Sequence, residues 1–256
     1  MLYAKNKSGD RFMAAPGVQG GCPSCGERVT PKCGEVKMWH FAHERDFSCD
    51  PWAEGETQWH LCWKLRFPAQ CVEVPMGGHR ADVRTPMGVV LEFQHSSLSP
   101  ELIRKREEHY GRMAWVIDAS TFCRNVEFFE RSGFIDMPTV QFRWKWRSET
   151  WKNASSPLFL DFSDGLPHNA VTNEPRLLFV EYVGENQFGR GIIVPVETFI
   201  AHFSEECPSR KLLERHGEQV IVADVFSEFC VEERLRQWDR IEENKILKPW
   251  FHPCER

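Results

Sequence analysis

The stretch Arg80-Ala81-Asp82-Val83-Arg84-Thr85-Pro86-Met87-Gly88-Val89-Val90-Leu91-Glu92-Phe93-Gln94 alternates polar and apolar side chains on either side of turn-forming Thr85 to Gly88. This is the pattern of two antiparallel strands joined as a hairpin. Successive side chains on a strand point to opposite faces, so Arg80, Asp82 and Arg84 share one face and Ala81 and Val83 the other. On the return strand Glu92 and Gln94 share a face, with Leu91 and Phe93 opposite. Folding at the turn brings Asp82 within a residue or so of Glu92, where opposed Cβ atoms lie about 4.5 to 5.5 Å apart. Two carboxylates so placed can share a hard cation, Mg²⁺ or Mn²⁺, as hydrolysis of a phosphodiester requires. Gln94 can then orient the attacking water or contact the phosphate. The same alternation also describes the wetted face of an ordinary half-buried sheet, so its surroundings have to decide.

Upstream, a helix is predicted from near Pro51 or Trp52 to Phe67, stopped by Pro68, with Trp59, Leu61, Cys62, Trp63, Leu65 and Phe67 as a broad apolar surface. It carries Glu56, His60 and Lys64 at intervals of four, along one face, either as a polar wall of a cleft or as a solvated stripe. Cys71-Val72-Glu73-Val74 is a short predicted strand ending at Pro75 and Gly77-Gly78. Downstream, Ser99-Pro100-Glu101 reads as a capped helix start running to about Tyr110, and Trp115-Val116-Ile117-Asp118 as a strand. The expected order over residues 51–125 is helix, three strands, helix, strand. The fold class is therefore α/β (α+β).

The 256 residues are 41% hydrophobic and 27% charged with a net charge of −5, which suits a folded chain and denies it the basic footprint of bulk electrostatic DNA binding. No signal-peptide-like or membrane-spanning apolar run is present, so a cytoplasmic location is expected. In a reducing compartment the 10 cysteines favour metal ligation over disulfides. Residues 1–50 are glycine-rich and sparse in large aliphatic side chains. Within them Cys22-x2-Cys25 has the spacing that aims two thiolates at one tetrahedral Zn²⁺. His40 and His43 are the expected partners, with Cys33 and Cys49 near enough to replace one of them. Trp39 and Phe41 flank His40 and could stack on unpaired bases, although core packing is the commoner use of such rings. Arg104, Lys105, Arg106 and Arg112 could grip phosphate, in a patch diluted by Glu107 and Glu108.

Residues 126–256 form a mixed region with no assigned chemistry. Strands are predicted at 140–146, 157–162 and 177–182, a helix from Val196 to Phe203, and another around Val231 to Glu243.

Glu56-x3-His60-x3-Lys64, then Arg80-Ala81-Asp82-Val83, then Leu91-Glu92-Phe93-Gln94-x-Ser96, then Arg106-x3-Tyr110 together resemble the competence protein CoiA-like family, whose core is placed in the PD-(D/E)XK nuclease superfamily. Cys22-Pro23-Ser24-Cys25-Gly26 with Trp39-His40-Phe41-Ala42-His43 resembles that family's N-terminal module. The resemblance spans about residues 20–120 and implies a restriction-endonuclease-like αβββαβ core behind a zinc module. It further implies that Asp82 and Glu92 bind the catalytic divalent ion, that Glu56 completes the site, and that Gln94 stands where most of the superfamily has Lys. A neutral amide supplies no positive charge to the transition state, so activity would lean on the metal, or on Lys64 or His60 reaching in. Arg80, Arg104, Arg106 and Tyr110 are the implied nucleic-acid contacts. The expected function is a Mg²⁺- or Mn²⁺-dependent nuclease acting on DNA, single-stranded or branched forms included, in competence or phage defence. The rivals are a catalytically silent zinc-containing DNA-binding or recombination-accessory protein, and a factor whose C-terminal region recruits protein partners.

Overall fold

In a computed structural model that describes residues 1–43, 49–52, 55–129, 139–145, 151, 154–162, 176–204, 212–215 and 218–221, the chain divides into two units. One is Met1–Thr85 with Val90–Phe93, the other Pro86–Val89 with Gln94–Arg256. The division runs through the hairpin of residues 80–94.

The first unit begins with five short strands, β1 (Tyr3–Lys5), β2 (Arg11–Met13), β3 (Gly20–Gly21), β4 (Arg28–Lys32) and β5 (His40–His43), in the order β2-β1-β3-β4-β5. Gly20 is required there, because a Cβ would lie 2.7 Å from that of Ala4. Met1, Ala4, Ala14, Cys22, Val29 and Phe41 make its core, too little apolar volume to hold a sheet unaided.

Helix α1 (Gln58–Lys64) is shorter than expected. Thr57 caps it reciprocally: its side chain accepts from His60 N–H, while its own N–H donates to His60 Nδ1 at 3.3 Å. Before the cap, Trp52 N–H donates to Asp50 Oδ1 at 2.9 Å, a turn rather than a helical bond. At the other end Arg66 and Phe67 bond back only three residues, to Trp63 and Lys64, and Pro68 follows. Of the anticipated apolar surface, Leu61 is buried and Trp59, Trp63 and Phe67 pack on Phe93, whereas Cys62 and Leu65 are exposed.

After a 3₁₀ turn at Ala69–Cys71 come β6 (Val72–Met76), β7 (His79–Arg84) and β8 (Val90–Gln94), antiparallel in sequence order. Gly77 and Gly78, at φ of 53° and 91°, make the first turn in a region that penalises other residues.

In the second unit, α2 (Pro100–Tyr110) starts as predicted, with Ser99 accepting from Leu102 N–H and Pro100 in the first turn. β9 (Met113–Asp118) pairs in parallel with β12 (Leu158–Asp161), while β10 (Val126–Phe129), β11 (Thr139–Trp144), β13 (Arg176–Val183) and β14 (Phe188–Pro195) add antiparallel ladders in the order β10-β11-β14-β13-β12-β9. Helix α3 (Val196–Ser204) follows β14, and β15 (Leu212–Arg215) pairs with β16 (Glu218–Ile221). β10 and β14 were not anticipated. β14 carries Gly189 and Gly191, which weaken a strand pattern, yet a Cβ on Gly191 would meet the Phe179 carbonyl oxygen at 2.3 Å. The helix expected around Val231 to Glu243 lies outside the described residues. Among the described residues no helix is long and apolar enough to cross a membrane.

The element order α1, β6, β7, β8, α2, β9 follows the expected helix, three strands, helix, strand.

Candidate functional site

β7 and β8 pair with Val83 opposite Leu91 and Arg84 opposite Val90. One step further along that register sets Asp82 against Glu92. Asp82 N–H donates to Glu92 Oε1 at 3.2 Å, and Phe93 N–H donates to Asp82 Oδ2 at 3.0 Å. The two carboxyl groups are thus knit into one patch of the hairpin. Glu92 is buried, while the Asp82 side chain keeps 18% exposure.

Lys64, at the last turn of α1 and fully buried, points its ammonium into this patch. It lies 2.8 Å from Asp82 Oδ1 and 3.5 Å from Glu73 Oε1, and pairs also with Glu56. Burial alone would lower the Lys64 ammonium, but Asp82, Glu56 and Glu73 outweigh it and raise its pKa, so it is held charged. Burial raises the Glu56 carboxyl, and Lys64, the Met1 ammonium 2.6 Å away and Arg80 more than reverse that, leaving it well below the usual range. Arg80 is likewise held charged against its burial by Glu73, Glu56, Cys22 and Asp82. Glu56, Glu73 and Asp82 so face Lys64, with Arg80, Arg11 and the Met1 ammonium among their cationic neighbours, and Glu92 adjoins them through Asp82 N–H.

Glu73 is the group that sequence reading passed over. It is fully buried on β6 at φ 52°, a costly backbone for a residue with a side chain. Its carboxylate accepts from Leu2 N–H at 2.8 and 3.0 Å and from Tyr3 N–H at 3.2 Å, tying β1 to β6. Only its place within an apolar strand signalled burial. His60 serves Thr57 through its Nδ1 and also bonds to the Phe93 backbone, and burial lowers its pKa, so the ring is neutral. Gln94 is buried, with Nε2 donating to the Ser96 carbonyl at 2.9 Å and its hydroxyl at 3.2 Å.

The metal module assembles Cys22, Cys25, His43 and Cys49, whose ligand atoms lie within 4.8 Å of one another. His40 is not part of the group. Its Nδ1 sits 2.9 Å from the Met38 carbonyl oxygen, and Cys49 takes the fourth place. A tetrahedral zinc ion about 2.3 Å from sulfur and about 2.1 Å from nitrogen separates two sulfurs by about 3.8 Å and sulfur from nitrogen by about 3.6 Å. The Cys22–Cys49 sulfurs are 3.7 Å apart and Cys25 Sγ lies 3.4 Å from His43 Nε2, so the donor set fits. Gly26, at φ 77°, closes the knuckle with its N–H on the Cys22 carbonyl at 2.9 Å. Burial works to raise the Cys22 thiol, yet hydrogen bonds from the Cys25 and Ser24 amides and from neighbouring thiols lower it, whereas burial and the two other thiols push Cys49 up to about 12. The neighbouring thiols thus drive Cys22 and Cys49 in opposite directions, a conflict that a bound dication removes. Burial keeps His43 neutral and able to ligate.

Next to Cys49, Asp50 reaches across to the hairpin. It accepts from His79 Nδ1 and from Arg80 N–H, both at 2.8 Å, and Trp52 stacks on the His79 ring. The implied nucleic-acid contacts are not gathered into one exposed patch. Arg80 is half-buried, and Arg106 and Tyr110 are buried. Exposed Arg104 and Lys105 are engaged with Glu108 and Glu101 on the same helix, at 3.7 and 2.8 Å.

Residues 19–51 match the family described as competence protein CoiA, N-terminal domain. This stretch holds all four members of the Cys3His cluster. No curated protein and no solved structure matches the chain.

Proposed function

We propose that this chain, CoiA-like over residues 19–51, is a metal-dependent nuclease of the PD-(D/E)XK type that acts on DNA in a competence-related role in the cytoplasm. The observation that carries the reading is the convergence of Asp82, Glu92 and the Lys64 ammonium on one patch of the β7–β8 hairpin. Asp82 and Glu92 would hold Mg²⁺ or Mn²⁺, with Glu56 near enough to Lys64 to hold the ammonium in place. Bound there, the ion supplies Lewis-acid stabilisation of the phosphate and a more acidic water. Lys64, reaching in from α1, provides the fixed positive charge that Gln94 lacks, with 2.8 Å between its Nζ and Asp82. Gln94 is held by Ser96 and orients rather than takes protons. His60 secures the start of α1.

A second reading, a silent zinc-containing DNA-binding protein, is favoured by one feature: both Asp82 oxygens are already engaged, by Lys64 and by Phe93 N–H. Single-stranded, duplex and branched DNA incubated with zinc-loaded protein and added Mg²⁺ or Mn²⁺ separates the two. Cleavage that requires the added ion and disappears in Asp82→Ala and Glu92→Ala, both still zinc-loaded, is the expected result. Retention of DNA without products in either ion establishes the silent protein instead.

A further inference from the structure

In the second unit, β10, β11 and β14 have one buried face and one open one. Phe142 and Trp144 of β11 are buried, with Phe122 stacked on Trp144 and Phe128 against Phe142. The alternate residues point outward. Phe129 of β10 is 40% exposed and Phe188 of β14 is 46% exposed. Phe129 pairs in register with Gln141, and Phe188 with Arg143. The two rings meet above β11, with centroids 5.6 Å apart and planes inclined by 27°, and the Arg143 guanidinium lies over Phe188 at 5.7 Å.

Singly exposed apolar residues are ordinary. Two stacked aromatic rings held half in water by a rigid sheet, with a guanidinium over one of them, are not. Lys145 and Arg190 border the same face, paired with Glu127 and Glu181. Among the described residues Arg143 has no carboxylate partner, so its charge is available to an anion. We propose that this face binds single-stranded nucleic acid, with unpaired bases stacking on Phe129 and Phe188 and Arg143 meeting the phosphate backbone. Flat π-faces beside a cation are the means by which sheets hold unpaired bases without reading their sequence. A protein interface of standard size would cover about 800 Å² per partner, far more than two half-exposed rings and a guanidinium present. The site lies apart from the nuclease reading and stands or falls without it.

Fluorescence anisotropy of a labelled oligothymidylate of about 16 nucleotides with the full zinc-loaded chain, no Mg²⁺ or Mn²⁺ added, tests it whether or not the chain cuts DNA. Phe129→Ala/Phe188→Ala is expected to weaken binding tenfold or more, and Phe129→Leu/Phe188→Leu to weaken it as much, because leucine restores volume and not a π-face. Arg143→Ala should lower the salt dependence by about one phosphate contact. Thermal midpoints near the parent's establish that each variant folds, and the leucine pair keeps the test valid if the alanine pair does not. The proposal is overturned if the parent binds no single strand, if it binds the matching duplex as tightly, or if the leucine pair binds like the parent. It is equally overturned if sedimentation shows self-association lost in these variants while oligonucleotide binding is unchanged.

Discussion

Cys49 and His40 make opposite claims on the fourth zinc ligand, and chemistry at single residues settles them. In the structure Cys49 Sγ sits 3.7 Å from Cys22 Sγ, whereas His40 turns to the Met38 carbonyl. Cys49→Ser should therefore weaken zinc binding beyond the roughly 10- to 100-fold that follows loss of an outer-shell partner, and His40→Ala should leave one zinc per chain. Competition with a chromophoric chelator reads both; equal losses in the two variants would restore His40 to the site. Cys22-x2-Cys25 was legible in the sequence because a tight turn dictates where both thiols point. Cys49 was legible only as an alternative beside Cys33, since what brings it to Cys22 is long-range folding, which spacing does not encode. Glu73 escaped for a related reason: a carboxylate inside an apolar strand has meaning only once the amides of Leu2 and Tyr3 and the Lys64 ammonium are seen around it.

At the scale of the element, helix α1 is a short rod that delivers one ammonium. Its existence and apolar surface were readable from the run of Trp and Leu, but its start was not, because the capping box uses His60 where Glu or Gln is usual. The hairpin and α2 were readable in full, as their turn and cap residues act locally. Replacing Lys64 with Met would remove the ammonium shared by Asp82, Glu56 and Glu73 and leave Arg80, Arg11 and the Met1 ammonium beside them, a loss of about 3 kcal/mol in urea unfolding. The pH dependence carries a definite sign. Glu56 is depressed on folding, so its contribution is whole above an unfolded carboxyl value of about 4.3 and is lost as pH falls through the lower folded value. Neutral His60 adds a contribution present above about 6.5 and lost in the same acid direction. Lys64 is raised, so its share is complete below about 10.4 and is lost only as pH climbs through its folded value. Stability of the zinc-loaded protein without added Mg²⁺ or Mn²⁺ should thus be flat from about pH 7 to 9 and fall on the acid side. Lys64→Met should flatten the acid limb below about pH 5, where Glu56 titrates; parallel limbs in the two proteins would show that Lys64 does not govern that carboxyl.

Over the whole molecule, the two units draw on different sources of stability. The second has an extensive apolar interior, with Trp115, Phe159, Phe179 and Phe199 fully buried. The β1–β5 sheet of the first has little beyond Met1, Ala4, Val29 and Phe41, so the metal must supply what apolar burial does not. The Cys3His cluster is joined through adjacent Asp50 to His79 and the Arg80 amide, two residues before Asp82. Zinc removal should then be felt in two places within the first unit: the β1–β5 sheet, and the start of β7 where Asp50 loses its hold. Hydrogen exchange followed by mass spectrometry, on zinc-loaded protein and after chelation, is expected to show faster exchange at residues 1–43 and at His79–Arg80, with β9 and β12 to β14 unchanged. If exchange rises in the sheet and not at Arg80, Asp50 is a bystander and the hairpin keeps its geometry without zinc. If β9 and β12 exchange faster as well, the second unit does not hold on its own interior. The expected pattern would make zinc occupancy a condition for the placement of Asp82, linking the module that matches CoiA to the carboxylates on which the proposed chemistry depends.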